Sequence, residues 1–267
     1  MTPPGSGPGC PPEEQHTERL QVLLSRSGLV SRRHAADWIR AGRVCVDGAP
    51  VSEPGLRVHP ETARIQVDGN PLDVRNPQRR RTILLNKPRG LICSAEAEQG
   101  PTVYECLGTV PERIVPVGRL DKDTAGLLLL SNDGGLIHEL THPRFGHRKE
   151  YLVTVRGDLD GPRLAALRAA MTLEDGTAYR APLEAELVDS EPGRDPPRHR
   201  LRIILGEGRN RQVRRMCEAV GLHVERLIRL ALDGLRLPRD LKPGAWRDLT
   251  PDEMRLLAPD AQSATPP

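Results

Sequence analysis

The chain has 267 residues, 37% of them hydrophobic and 28% charged, with a formal net charge of +3. That length admits one large domain or a medium one with a small companion, and no apolar run approaches the ~18 residues of a membrane span. The five cysteines (Cys10, Cys45, Cys93, Cys106, Cys217) form no C-x-x-C pair, which argues against a zinc ribbon, an iron–sulfur site or a disulfide framework.

Residues 1–16 and 259–267 are Pro-rich, Gly-rich or polar, too poor in apolar groups to offset ordering entropy, and are expected to be disordered tails. Pro and Gly also stand where a signal peptide would have its apolar centre, so the protein is expected in the cytoplasm, free of membrane. From Thr17 a folded unit begins. Leu20, Leu23 and Leu24 form a helical stripe that ends near Gly28, and Ser31 is a good N-cap for a second helix with Ala35, Trp38 and Ile39 on its apolar face and Gly42 as its stop. Val44 and Val46 lead into the turn Asp47-Gly48, and Arg64 to Val67 into Asp68-Gly69, the pattern of small hairpin strands. Between Arg26 and Arg43 five arginines (Arg26, Arg32, Arg33, Arg40, Arg43) oppose the single Asp37. A small α/β RNA-binding domain over 17–72 is the expectation, with Arg26, Arg32, Arg33 and Arg43 meeting phosphates.

A linker over 73–80 follows, with Pro71 and Pro77 as breakers, and a larger domain is expected over 81–258. Ile83-Leu84-Leu85 predicts a buried strand that stops at Asn86-Lys87-Pro88-Arg89-Gly90. Gly118 to Gly126 is a charged loop pressed against four consecutive leucines, Leu127 to Leu130. Asp121 and Asp123 therefore stand at the lip of a buried element, where a carboxylate can be desolvated and aimed. Asp and Gly before a strand are also ordinary turn chemistry. Tyr151 to Val155 predicts a strand, Pro162 to Met171 a helix, Leu183 to Val188 and Leu201 to Leu205 two more strands. Gly206-Glu207-Gly208 then turns into a helix over Arg209 to Val220. Strands and helices interleave without βαβ spacing or a Gly-rich phosphate fingerprint, which favours an α+β fold.

In that last helix Val213, Met216, Cys217 and Val220 define the buried face. At ~100° per residue Arg214 falls on its flank and is expected to reach inward to a carboxylate, while Arg211 and Arg215 point outward toward phosphates. Seven arginines between Arg198 and Arg215 oppose the single Glu207, a second basic cluster and so half of a split polyanion footprint. Aromatics make up 2% of the chain, which leaves few base-stacking platforms.

The front segment, through Ser31-Arg32-Arg33, Gly42-Arg43-Val44 and Val46-Asp47-Gly48, resembles the RNA-binding domain of ribosomal small-subunit protein S-four. Arg119-Leu120-Asp121 with Thr124-Ala125-Gly126, Lys149-Glu150-Tyr151, and Gly208 to Met216 together resemble the three signature motifs of RNA pseudouridine synthases. Lys87-Pro88-Arg89-Gly90 and the front end narrow this to the RsuA/RluB branch. The resemblance implies a catalytic domain on a mixed, mainly antiparallel sheet flanked by helices. It implies isomerisation of uridine in structured ribosomal RNA, expected in the large subunit, by a monomer that needs no cofactor or metal. Asp121 matches the catalytic aspartate, which acts on the ribose anomeric carbon or, in the alternative scheme, takes part in a glycal route. Tyr151 matches the aromatic that packs on the base and is a candidate acceptor of the carbon-five proton, and Arg214 the basic partner of the aspartate. Arg119 matches the residue that fills the gap left by the flipped nucleotide; Lys149 and Arg211 are further RNA-binding candidates. Where the branch usually has Arg-Ile-Gly-Pro, this chain has Leu230-Ala231-Leu232-Asp233-Gly234, a departure that bears on local loop contacts and target choice but on no catalytic group.

Other readings compete. Asp121 to Thr124 also suggests the D-x-D-x-T motif of haloacid dehalogenase-type phosphatases, although there the motif ends a hydrophobic strand and here the leucines follow it. Small-subunit RNA is the alternative substrate. A non-catalytic RNA-binding assembly factor accounts for the basic clusters but leaves Asp121, Tyr151 and Arg214 unexplained. His138, His142 and His147 have spacings that cross Pro143 and are expected at the surface or on RNA rather than on a metal.

Overall fold

The computed structural model describes residues 17–74, 79–94, 100–110, 112–191 and 193–257. The chain divides into two compact units, Met1–Arg80 and Arg81–Pro267. Both expected tails, and the middle of the expected linker, lie outside the described residues.

The first unit opens with β1 (Glu18–Arg19), α1 (Leu20–Arg26) and α2 (Arg32–Arg40), followed by β2 (Val44–Val46), β3 (Ala49–Val51), β4 (Arg57–Val58), β5 (Ile65–Val67) and β6 (Asn70–Leu72). Ser31 caps α2 by accepting from the His34 amide at 3.1 Å, as expected. The β2–β3 and β5–β6 hairpins turn through Asp47-Gly48 and Asp68-Gly69 with positive φ at all four residues, which is why Asp-Gly serves there. The sheet runs β3-β2-β5-β6, all antiparallel, and β1 pairs with β4. Leu20, Leu23, Leu24, Ala35 and Ile39 meet Val44 and Ile65 in one fully buried cluster.

The second unit contains β7 (Thr82–Lys87), β8 (Val115–Pro116), β9 (Thr124–Ser131), α3 (Gly134–Thr141), β10 (Lys149–Arg156), α4 (Gly161–Arg168), β11 (Met171–Thr172) and β12 (Ala178–Tyr179). It continues through β13 (Glu184–Glu191), β14 (Arg198–Leu205), α5 (Gln212–Ala219), β15 (His223–Leu232), β16 (Leu235–Arg236), β17 (Trp246–Asp248) and α6 (Pro251–Leu257). One sheet follows the order β13-β14-β10-β15-β9-β7-β17. Its β9–β15 pair is parallel and its other neighbours are antiparallel, the mixed sheet of an α+β fold. The four leucines of β9 are all 0% exposed because both faces are covered, as a continuous apolar run demands. Leu127 and Leu129 meet Leu136 and Leu140 of α3, while Leu128 and Leu130 meet Ile83, Leu85, Val103 and Leu120. At roughly 1.5–3 kcal/mol per buried leucine, this strand is a rigid base for the loop that precedes it.

Several expected boundaries move. The strands expected over Tyr151 to Val155, Leu183 to Val188 and Leu201 to Leu205 are Lys149–Arg156, Glu184–Glu191 and Arg198–Leu205. The β7 strand runs on through Lys87 rather than stopping at Asn86, because the lysine stem is buried. The helix expected over Pro162 to Met171 ends at Arg168, and Met171 pairs with Tyr179 in a small hairpin. The helix expected from Arg209 begins at Gln212, since Arg211 is left-handed (φ 49°) and Arg209-Asn210-Arg211 form a turn.

Candidate active site

Thr124 to Gly126 pairs in parallel with Leu227 to Arg229, and the closeness of that contact dictates a residue type. A Cβ on Gly126 (φ +103°) would lie 2.3 Å from the Arg229 carbonyl oxygen, so only glycine fits. The loop ahead of it, Asp121 to Thr124, closes with the Thr124 amide donating to the Asp121 carbonyl at 3.0 Å.

Lys87 pins this loop from beneath. It is fully buried, and its Nζ donates to the carbonyls of Pro88 (3.0 Å), Asp121 (3.3 Å), Lys122 (3.3 Å) and Thr124 (2.9 Å). Burial pushes its ammonium below the usual lysine range, opposed by the nearby thiol of Cys93 and the carboxylates of Asp121 and Asp123. The Gly90 amide adds a bond to the Lys122 carbonyl at 2.8 Å. These contacts leave the half-exposed Asp121 carboxylate without a hydrogen-bond or ion-pair partner among the described residues.

Asp121 borders a cleft of about 450 Å³ that Arg119, Lys149, Tyr151, Arg211 and Arg229 also line. Tyr151 lies on β10, 9% exposed, directly opposite Arg229 of β15. Burial pushes its phenol above the ordinary tyrosine range, and the nearby Arg229 charge offsets part of that rise. Lys149 donates to the His147 carbonyl at 2.8 Å, and its ammonium is pushed down by burial and by Arg229. Arg119 and Arg211 are exposed on the rim. Buried Gln212 donates to Glu207 at 2.7 Å and accepts from the Arg209 amide at 3.2 Å, which holds the turn that presents Arg211.

Arg214 departs from its expected pairing. It is buried on α5, but its guanidinium donates to the main-chain carbonyls of Asp123 (3.0 Å) and Val224 (3.3 Å), and it forms no ion pair with Asp121 among the described residues. It lies behind the loop rather than in the cleft. Burial and Arg211 push its pKa down, and Asp123 and Asp121 act in the opposite direction, so its link to the carboxylates is through space. Arg215 points outward as expected but pairs with Asp175 and is not free for phosphate.

Pairing also removes most of the expected second basic cluster. Arg198 pairs with Glu225 and Glu191, Arg200 with Asp189, Arg202 with Glu150, Glu184 and Glu186, and Arg209 with Glu207. Arg211 is the one of the seven that is both exposed and unpaired among the described residues. In the first unit Arg26 pairs with Glu18, and Arg43 pairs with Asp68 while stacking 4.7 Å over Trp38. Arg32 and Arg33 remain exposed with no partner among the described residues.

The variant segment at Asp233 proves structural. Asp233 is left-handed (φ 49°), accepts from the Arg148 amide at 2.8 Å and meets His147 Nδ1 at 2.7 Å, so it ties the loop before β10 to the β15–β16 hairpin. His147 is thus occupied, and no cluster of metal-ligating side chains occurs among the described residues. The phosphatase motif fails on spacing: Thr124 follows Asp123 directly, one place short of D-x-D-x-T, and it opens β9 instead of following a strand. Lys87, Arg229 and Gln212 were missed as site residues, because a lone cation or amide inside an apolar stretch carries no periodic signal.

Residues 81–219 match the family model for RNA pseudouridylate synthase, and residues 18–63 match that for the S4 domain. The chain is 39% identical over 245 residues to an uncharacterised RNA pseudouridine synthase of Aquifex aeolicus, covering 90% of this chain and 93% of that one. It is 39% identical over 241 residues to ribosomal large subunit pseudouridine synthase B of Bacillus subtilis, covering 90% and 95%. A crystal structure of a pseudouridylate synthase superposes with a TM-score of 0.63 at 28% identity, over 90% of this chain and 99% of that one.

Proposed function

This chain belongs to the RNA pseudouridine synthase family, and from that membership we propose that it converts uridine to pseudouridine in ribosomal RNA of the large subunit. The observation that carries the chemistry is the Asp121 carboxylate, held by its own main chain, without a partner among the described residues, and bordering a cleft that Tyr151 also lines. A carboxylate so placed can act on the anomeric carbon of a nucleotide brought into the cleft. Taking that nucleotide out of its stack costs a few kcal/mol, offset by contacts of Arg119, Lys149 and Arg211 with the strand.

In this reading the Asp121 carboxylate displaces N1 from the anomeric carbon, and the released uracil anion turns between Tyr151 and the cleft wall. Carbon five then bonds to the anomeric carbon as the carboxylate leaves with its pair. Tyr151 then takes the carbon-five proton. Atoms balance without oxidant or reductant because substrate and product are isomers. Arg214 is assigned a positioning role, since its guanidinium braces the loop through the Asp123 carbonyl. The S4 match and the exposed pair Arg32 and Arg33 support docking of the first unit on folded RNA. The choice of the large subunit rests on the B-type synthases of Bacillus subtilis and Yersinia pestis, each 39% identical to this chain.

Chemical mapping of pseudouridine in ribosomal RNA from cells with and without the protein tests the proposal. One or more large-subunit positions are expected to lose the modification. A loss confined to small-subunit or transfer RNA would overturn the substrate, and an unchanged map would overturn the activity.

A further inference from the structure

Arg229 is a charged group lining the cleft that has no ion-pair partner among the described residues. It is 4% exposed on β15. Its Nε donates to the Leu127 carbonyl at 2.8 Å, while Nη2 is buried with no hydrogen-bond partner among the described residues. The side chain has little room to retreat, because its backbone is packed against Gly126 in the parallel β9–β15 contact. A guanidinium held out of water without an anion is costly, and such a cost at a cleft points to an anion that arrives or forms there.

Two anions are available in principle. Phosphates of the RNA would meet the exposed Arg119 and Arg211 at the rim, not a side chain almost wholly out of solvent. The other candidate is the phenolate of Tyr151, the direct cross-strand partner of Arg229. We propose that Arg229 is a positioning residue for the isomerisation, its free Nη2 serving as countercharge to a Tyr151 phenolate that accepts the proton from carbon five of the uracil. The inference deepens the function proposed above and rests on it. Bonding of carbon five to the ribose leaves a C6=N1 double bond. In this step the phenolate oxygen takes the C5 proton, the C5–H pair becomes the C5=C6 π bond, and the C6=N1 π pair returns to N1, which takes a proton from water. The phenol later releases its proton to solvent, so the step is neutral overall.

Among the described residues, few charged groups face Tyr151. Arg229 comes from β15, Asp121 from the loop before β9, and Lys149 from its own strand; from α5 the packed side chains are Val213, Met216 and Cys217. Among these, Arg229 draws the phenol's pKa down against burial and Asp121 raises it.

Arg229→Gln removes the charge and keeps a polar side chain; Arg229→Lys keeps the charge at shorter reach. On a ribosomal RNA hairpin deuterated at carbon five of its uridines, R229Q is expected to lower kcat at neutral pH by at least about ten-fold, with KM within about two-fold of wild type. It should also expose a primary isotope effect and regain rate as pH rises. In the RNA-free protein, the ζ-carbon resonance of Tyr151 should titrate at higher pH in R229Q than in wild type. Should the glutamine variant be unstable by thermal melt, R229K carries the comparison, with a smaller upward move of the Tyr151 titration and a smaller loss of kcat. An unmoved Tyr151 titration, an unchanged kcat, or a defect confined to KM overturns the proposal, the last pointing to phosphate binding. Absence of pseudouridine with wild-type protein would sink the isomerase reading by itself, and the Tyr151 titration would still decide the coupling.

Discussion

Lys87 Nζ lies 2.9 Å from the carbonyl oxygen of Thr124, the residue at which the Asp121 loop becomes β9. A cation that is fully buried and bonded to main-chain oxygens holds the conformation of that loop whatever side chains it carries. Lys87→Met should therefore leave several carbonyls unpaired, at about 1–3 kcal/mol for each that water cannot reach. Both the melting temperature and turnover are expected to fall. A K87M protein that melts with wild type would show that the clamp is not structural.

Asp121→Asn removes the ionised oxygen and changes shape little, so isomerisation should be lost while RNA affinity stays near wild type. Asp123 is exposed and contributes its carbonyl to Arg214, so Asp123→Asn should be much milder. Turnover by purified D121N above a few per cent of wild type would count decisively against the assignment.

Arg214 and Arg215 are adjacent on α5 and should behave differently. Arg214→Ala removes a buried guanidinium that donates to the carbonyls of Asp123 and Val224, which should cost about 1–3 kcal/mol and slow turnover through the loop. Arg215→Ala breaks a pair with a half-exposed Asp175 and should cost about 1 kcal/mol or less. Indistinguishable melts for the two variants would refute the distinction.

Among the arginines of the first unit, Arg26 and Arg43 are already neutralised and Arg32 and Arg33 are not. Replacing Arg32 and Arg33 together with Ala should weaken RNA binding and reduce the slope of log affinity against log salt by roughly one to two. kcat at saturating RNA should hold. An unchanged salt slope would place the electrostatic grip elsewhere.

Glu253 carries a pH dependence of known sign. It accepts from Arg247 at 2.6 and 2.7 Å and from the Thr250 amide at 3.0 Å, and the Arg247 bonds lower its pKa from an ordinary 4.5 to about 2. A carboxylate depressed by folding stabilises the protein above its unfolded value and loses that contribution as pH falls through its folded one. The difference in melting temperature between wild type and Glu253→Gln should be full above about pH 5 and vanish near pH 2. A difference that persists unchanged at pH 2 would contradict the pairing.

Local chemistry made much of the fold legible. Ser31 as a cap, Asp-Gly at two hairpins, and the leucine run of β9 each act over a few residues, so periodicity and turn preference suffice to place them. The motif order likewise pointed to Asp121 and Tyr151, which the fold brings to one cleft. Partners were decided by tertiary structure alone. Arg202 meets Glu150 from 52 residues away and Arg215 meets Asp175 from 40, so a run of arginines that reads as a basic patch is mostly neutralised once folded. Arg214 found carbonyls where a carboxylate was expected, and Lys87 and Arg229 entered the site only because β7 and β15 flank β9 in one sheet. Helical angle sets the direction in which a side chain leaves the backbone; what it meets depends on strand neighbours remote in sequence, and burial then turns that meeting into a clamp, a shifted pKa or an unpaired charge.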